Sequence, residues 1–204
     1  MTLQSAEPRL VLASASASRR ALLTGAGMAF EARPAAVDEA EIKLAAQTEG
    51  LPAGEAALLL AAAKAERIAR RDPEALVIGC DQLLVCDGVW FDKPEGLAGA
   101  ADHLRALSGR PHVLETATVA WRGGRQVWQH LERPQLTMRP LTESFIAAYL
   151  ALEGEAVLGS VGAYRLEGPG VQLFSQVQGE HSAILGLPLL PLLAFLRQHG
   201  VLLG

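Results

Sequence analysis

The segment LASASASRR at residues 12–20 follows an apolar stretch and places small hydroxyl residues before two adjacent arginines. Its hydroxyl side chains, which could donate to phosphate oxygens, are those of Ser14, Ser16 and Ser18. If Ser18 caps a short helix RRALL, Arg19 and Arg20 lie at the helix start, where free N–H groups and the helix dipole favour an anion. A plain capped helix with two solvated arginines explains the same residues, so both interpretations stay open.

Three carboxylates follow or precede predicted elements. Asp81 comes directly after the apolar run ALVIGC, which places it at the carboxyl end of a strand, where sheet proteins often keep functional groups. Asp38 and Glu39 lie in a predicted loop. Carboxylates from two segments could hold a hard cation such as Mg²⁺, and one could orient or deprotonate a water. The alternatives are a turn at Asp81 and a solvated acidic loop.

Two lysines have unusual surroundings. Lys64 is the only charge in LLLAAAKA, so it either extends to solvent or faces an anionic site. Lys93 stands before Pro94 in FDKPEG, where a solvated turn lysine is the simpler interpretation.

These residues must be positioned by an α/β fold. Strands are predicted at Arg9–Ala13, Ala75–Cys80 and Val171–Val177, and helices at Glu55–Arg71 and Leu97–Leu107. Two further helices are predicted, one capped by Thr142 and closed by Gly154, the other beginning at Pro188. Hairpins are predicted about Asp87-Gly88 and Gly123-Gly124, which make the sheet mixed. One compact domain over residues 1–204 accounts for the length.

Composition excludes several classes of protein. The net charge of −4 and the lack of basic runs argue against nucleic-acid binding. No apolar run reaches the roughly 20 residues of a membrane span, and the N-terminus lacks a signal-peptide pattern, so a cytoplasmic location is expected.

Cys80 and Cys86 have no metal-ligand spacing and are interpreted as buried reduced thiols. Phosphate-loop, dinucleotide, nucleophile-elbow and zinc-protease motifs do not occur.

Eight ordered segments together resemble one family. They are LASASASRRALL, VDE, AKAERIA, IGCDQLLV, DKP, SGRPHVLETATV, GAYRLEG and ILGLPLLPLLAFL. The chain resembles the Maf family of nucleoside triphosphate pyrophosphatases from Arg9 to about Arg197. The resemblance implies a homodimeric, elongated, two-lobed fold of the inosine-triphosphatase type that binds a nucleotide and a divalent metal, Mg²⁺ or Mn²⁺. It also implies hydrolysis of the bond between the α and β phosphates and a link to arrest of septum formation.

The resemblance assigns roles residue by residue. Asp81 matches the proton acceptor that activates water, and Glu39 matches the acid that shares the metal with it. Lys64, Lys93 and Arg19, with Arg20 beside it, match the basic groups around the triphosphate.

The positions that set specificity resemble one branch of the family. Gln82 and Glu167 look like the branch that acts on 7-methylguanosine triphosphate, and a carboxylate at Glu167 could accept from the N1–H and N2–H₂ edge of guanine. The chain departs from that branch at Ser18, where a tryptophan is usual, and at Ser160-Val161, where a lysine is expected before GAY.

The leading hypothesis is therefore a metal-dependent pyrophosphatase acting on noncanonical or modified nucleoside triphosphates. A nucleotide-sensing regulator of cell division with weak turnover is the alternative, and the substitutions at Ser18 and Ser160 make it conceivable. A nucleotide-transferring enzyme would need a second-substrate pocket, and the sequence shows none.

Overall fold

The computed structural model describes residues 3–204 and contains seven α-helices and eight strands in that range. The elements in chain order are β1 (Leu10–Leu12), α1 (Ala17–Gly25), β2 (Glu31–Ala32), α2 (Glu39–Thr48), α3 (Ala53–Ala69), β3 (Leu76–Cys86), β4 (Val89–Phe91), α4 (Gly96–Leu107), β5 (Pro111–Arg122), β6 (Arg125–Glu132), β7 (Gln135–Met138), α5 (Glu143–Glu153), β8 (Phe174–Gln178), α6 (His181–Ile184) and α7 (Leu189–Gln198). The strands belong to a mixed sheet, which confirms the predicted α/β class.

The first of two compact units comprises the chain up to Asp81, Thr116–Glu132 and Gly186–Gly204. Here β1 pairs in parallel with β2 and with β3, β5 lies next to β3, and β6 pairs antiparallel with β5. The core of this unit is apolar and includes Leu12, Ile78 and Phe195. Trp128 is partly buried and stacks on Phe195 with ring centroids 5.0 Å apart, so this tryptophan packs against the core.

The second unit comprises Gln82–Glu115 and Arg133–Leu185. It contains the hairpin of β3 and β4 and the antiparallel ladder of β5, β7 and β8. Helices α4 and α5 pack around a core that includes Leu104, Leu136 and Tyr149. Within it, His112 Nε2 lies 3.0 Å from the hydroxyl of Tyr164.

Local turn and cap signals predicted several elements correctly. Both hairpins form, and Asp87, Gly88 and the Gly123-Gly124 pair all have the positive φ angles that such tight turns need. Thr142 caps α5 by accepting from the N–H of Phe145, and Gly154 ends that helix.

Other boundaries were predicted wrongly. The strand expected from Val171 begins only at Phe174, because residues 169–173 form a 3₁₀ helix. Asp81 does not follow a strand end: β3 continues through it to Cys86. A carboxylate can remain inside a buried strand when a cation pairs with it. Asp38 and Glu39 do not lie in an open loop, since they cap and begin α2.

Among the described residues, every helix is too short or too polar to cross a lipid bilayer.

Candidate active site

A buried lysine in the first unit connects two carboxylates. Lys64 Nζ lies 2.5 Å from Asp81 Oδ1 and 2.8 Å from Glu39 Oε1. The side chains of Lys64 and Asp81 are only 11% and 8% exposed, whereas that of Glu39 is 46% exposed. Lys64 therefore faces an anionic site and does not extend into solvent, which decides between the two alternatives that the sequence left open.

Close packing of α3 on β3 produces this contact. Residues 61, 64 and 65 lie on one face of the helix, and residues 79 and 81 lie on one face of the strand. Gly79 of the strand packs against Ala61 and Ala65 of the helix: a Cβ atom at Gly79 would be 2.1 Å from Ala61 O and 2.8 Å from Ala65 Cβ. Because Gly79, Ala61 and Ala65 are small, the backbones of α3 and β3 lie close together, and the side chain of Lys64 can reach Asp81. Gly79 was not predicted from the sequence, although a glycine inside an apolar strand often marks close backbone approach.

Glu39 reaches the lysine from the start of α2. Asp38 caps this helix, because its side chain accepts a hydrogen bond from the N–H of Glu41 at 3.0 Å. The cap fixes the first turn, in which Glu39 is the first residue. Asp38 and Glu39, which were predicted as a pair, thus have different roles: Asp38 stabilises helix α2, and Glu39 contacts Lys64.

The serine-rich segment forms a tight turn into α1. Ser16, and not Ser18, is the N-cap: its Oγ accepts from the N–H of Arg19 at 3.3 Å, and the helix begins at Ala17. The prediction of Ser18 as the cap is therefore wrong: a serine hydroxyl recurs at every second residue here, and only the fold determines which one accepts from the helix N–H groups. Ser14 Oγ accepts from the N–H of Ser16 at 3.2 Å.

Arg19 and Arg20 differ in their surroundings. The side chain of Arg20 is exposed. Arg19 is half-buried and donates from Nε to Gly186 O at 2.8 Å and from Nη1 to Cys80 O at 3.0 Å. Nη1 also lies 3.3 Å from Ser14 Oγ. Arg19 is therefore tied to the backbone beside Asp81 and is not simply presented to a ligand.

The remaining candidates, Gln82, Lys93 and Glu167, belong to the second unit. Gln82 Nε2 donates to the carbonyl oxygens of Ala183 and Ile184 at 3.0 and 3.2 Å, which fixes the plane of its amide. Lys93 is exposed between β4 and α4. Glu167 is exposed and lies 3.7 Å from Arg165 Nε.

The thiol of Cys80, the residue before Asp81, is not in the reactive thiolate form. Burial raises the pKa of the Cys80 thiol, so it remains protonated at neutral pH. Cys80 and Cys86 are both free and buried, as predicted.

The donor set fits a hard divalent cation. Two carboxylates lie within 2.8 Å of one nitrogen, so their oxygens are close enough to share a bound ion. Within residues 3–204 no group of three or more acidic, histidine or cysteine side chains forms a metal cage. Mg²⁺ is commonly held by one or two carboxylates together with substrate phosphates, and Glu39 and Asp81 match that pattern.

Fold and site define an α/β protein that concentrates a buried lysine, two carboxylates and a helix N-terminus in one unit, a set suited to phosphate chemistry. The family model described as Maf-like protein matches residues 9–199. The chain belongs to the Maf-like family.

Named relatives agree over nearly the whole chain. A nucleoside triphosphate pyrophosphatase of Granulibacter bethesdensis is 55% identical over 194 residues, which cover 95% of this chain and 98% of the relative. One of Nitrobacter hamburgensis is 54% identical, with 96% of each chain covered. A 7-methyl-GTP pyrophosphatase of Rhizobium etli is 50% identical, with 97% of this chain and 99% of the relative covered.

Proposed function

We propose that the protein is a nucleoside triphosphate pyrophosphatase that cleaves between the α and β phosphates and releases a nucleoside monophosphate and pyrophosphate. Membership of the Maf-like family and the names of relatives at about half identity support the reaction class. The observation that carries the proposal is the buried ion pair of Lys64 and Asp81, with Glu39 on the same nitrogen.

Asp81 is the proposed proton acceptor. Water attacks the α phosphorus, the bond from that phosphorus to the bridging oxygen breaks, and pyrophosphate leaves with the electron pair. The water proton passes to Asp81, and because Lys64 already donates to Oδ1, Oδ2 is the atom available for it. The hydrogen bond from the lysine holds the carboxylate in a fixed orientation for this step.

Lys64 has a second proposed task. An ammonium group has three N–H donors, and two contact the carboxylates of Asp81 and Glu39. The third can donate to a phosphate oxygen, where negative charge shifts during transfer. Lys93 and Arg20, both exposed, are proposed to add positive charge along the triphosphate.

A divalent cation, Mg²⁺ or Mn²⁺, is part of the proposal, with Glu39 and Asp81 as its protein ligands. When bound, it would neutralise charge on the phosphate oxygens. Backbone N–H groups at the start of α1, with the hydroxyls of Ser14 and Ser18, are proposed to bind the phosphate chain.

The proposed substrates are modified or noncanonical nucleotides, with 7-methylguanosine triphosphate the first to test. The amide of Gln82 is fixed by two backbone carbonyls, and the carboxylate of Glu167 is exposed. We propose that Glu167 accepts hydrogen bonds from the edge of the guanine and that the Gln82 amide contacts the same base. Relatives of similar identity are named either nucleoside triphosphate pyrophosphatase or 7-methyl-GTP pyrophosphatase, so the base of the substrate is what the experiment must determine.

The test is pyrophosphate release with added Mg²⁺ or Mn²⁺ across a panel of canonical and methylated triphosphates. In heavy-oxygen water the label is expected in the nucleoside monophosphate, because attack is at the α phosphorus. Label in pyrophosphate, or release of orthophosphate alone, would contradict the proposal. Tight binding without any product would favour the alternative, a nucleotide-sensing regulator of cell division.

Assembly and location complete the proposal: a homodimer in the cytoplasm. Light scattering at several protein concentrations tests the dimer, and a mass of one 21.6 kDa chain at all of them would remove it. Cell fractionation tests the location.

A further inference from the structure

Arg19 uses most of its hydrogen-bonding capacity on the protein itself. A guanidinium has five N–H donors. Nε donates to Gly186 O at 2.8 Å, and Nη1 contacts Cys80 O at 3.0 Å and Ser14 Oγ at 3.3 Å. At most the two hydrogens of Nη2 are left for a phosphate. This distribution differs from that of an arginine built mainly to bind an anion.

The bond to Cys80 has a direct consequence for the proposed proton acceptor. The carbonyl of Cys80 belongs to the same peptide unit as the nitrogen of Asp81, and that unit is planar. Holding this oxygen therefore fixes the peptide plane that contains the Cα of Asp81, and with it the point from which the Asp81 side chain leaves the strand. The 2.5 Å contact between Asp81 and Lys64 depends on where that point lies.

Gly186 gives the guanidinium its second anchor. Its φ of +96° is one that side chains rarely adopt, and a Cβ atom there would lie 3.0 Å from Arg19 Nε and 3.3 Å from Nη2. Only glycine allows both this backbone conformation and this approach. The residue lies 167 positions from Arg19 in sequence, so the contact joins distant parts of the first unit.

We infer that Arg19 is a positioning residue: with Gly186 it forms a clamp that holds the Cys80–Asp81 peptide and so aims Asp81. The inference rests on the proposed function, because it concerns the same site. It replaces the expectation that Arg19 acts mainly by binding phosphate.

The charge of Arg19 and the geometry of its guanidinium can be tested separately. Lysine at position 19 would keep the positive charge. It lacks the planar guanidinium, so it could not reproduce the hydrogen bonds to Gly186 O, Cys80 O and Ser14 Oγ together. Loss of the clamp should lower kcat, since misplacing a reacting group by about 1 Å can cost about 100-fold in rate. Loss of a phosphate contact made equally in the ground state would instead weaken nucleotide binding.

The experiment compares Arg19→Lys, Gly186→Ala and the double variant with the parent protein. We expect each single variant to lose about 10- to 100-fold in kcat, while calorimetric affinity for a non-hydrolysable α,β-methylene triphosphate changes less than about 3-fold. The double variant should lose no more than the worse single variant, because both changes break the same clamp. Gly200→Ala is the matched control: φ there is +69° and an added Cβ meets nothing within 4 Å.

The inference is overturned if Arg19→Lys keeps kcat and weakens analogue binding more than about 10-fold, or if Gly186→Ala behaves like Gly200→Ala. Hydrogen exchange without nucleotide gives a readout independent of turnover. Peptides that contain Cys80 and Gly186 should exchange faster in both single variants, and unchanged exchange would also overturn the clamp. A parent protein that hydrolyses no triphosphate would defeat the proposed function, while the exchange data would still decide the clamp.

Discussion

Lys64 Nζ lies 2.5 Å from Asp81 Oδ1, although the residues stand on different elements, α3 and β3. Both are nearly buried, and Glu39 adds a second negative charge on the same nitrogen. A buried ion pair is costly to break, because removing one partner leaves a charge without compensation. The ion pair therefore links the stability of the first unit to the proposed chemistry.

Lys64→Met should be both less stable and less active. It leaves the Asp81 carboxylate buried without its cation, which typically costs about 3–5 kcal/mol of unfolding free energy. Chemical denaturation measures that loss, and pyrophosphate release should fall by about 100-fold or more.

The double variant Lys64→Met/Asp81→Asn separates the two effects. Removing both charges should restore most of the lost stability while activity stays low. A Lys64→Met protein as stable as the parent protein would contradict a buried ion pair between Lys64 and Asp81.

Gly79→Ala should disturb the packing that brings Lys64 to Asp81. The added Cβ would lie 2.1 Å from the carbonyl oxygen of Ala61, so α3 or β3 must shift. We expect a loss of about 1–3 kcal/mol in unfolding free energy, together with reduced activity. Thermal and denaturant melts measure the loss.

The matched control is Gly99→Ala in α4, where the nearest atom to an added Cβ is 3.8 Å away. Alanine there should be neutral or gain up to about 1 kcal/mol. Equal destabilisation at both positions would show that contact with α3 is not the cause.

Sequence predicted best where the signal was local. A turn pair such as Asp87-Gly88, or a cap such as Thr142, acts over a few residues and requires no knowledge of the rest of the fold. The helix α2 was missed because half of Glu39–Thr48 is polar and only Ala46 is buried, so the segment lacks a clear apolar stripe.

Long-range contacts explain what sequence could not predict about the site. The residue types of Glu39, Lys64 and Asp81 suggested phosphate chemistry, but only the fold shows that they meet at one nitrogen. The clamp of Arg19 and Gly186 was not predictable, because one glycine among twenty gives no signal of which side chain approaches it.

Glu39→Gln tests the proposed metal site. The amide keeps the shape but loses the charge that would attract a cation, so the Mg²⁺ concentration for half-maximal activity should rise by about 10-fold or more. A metal titration of pyrophosphate release measures this.

Glu41→Gln, in the same first turn of α2, is the control and should leave the Mg²⁺ requirement as it is. Activity that is independent of added metal and survives chelation would contradict the metal proposal.

His112 makes stability depend on pH. Burial lowers its pKa from 6.5 to about 4, so the folded protein keeps the imidazole neutral where the unfolded chain takes up a proton. Unfolding free energy should therefore fall as pH drops from about 6.5 to about 4, by at most about 3 kcal/mol from this residue, and then level off.

His112→Gln should flatten that acid limb when denaturant melts are compared across pH. Glutamine can still hydrogen-bond with the hydroxyl of Tyr164, which His112 contacts at 3.0 Å. His181→Gln, at an exposed position, should change the slope much less. An unchanged acid limb in His112→Gln would exclude His112 as its source.

The most direct test of the proposed catalysis is pyrophosphate release by Asp81→Asn on the best triphosphate of the panel, with Mg²⁺ present. Asparagine keeps the size but cannot accept the water proton, so kcat should fall by about 100-fold or more while the melting temperature shows a folded protein. The exposed Asp102→Asn, whose native side chain is 73% exposed, should keep the parental rate. Asp81→Asn protein that turns over at that same rate would contradict the account.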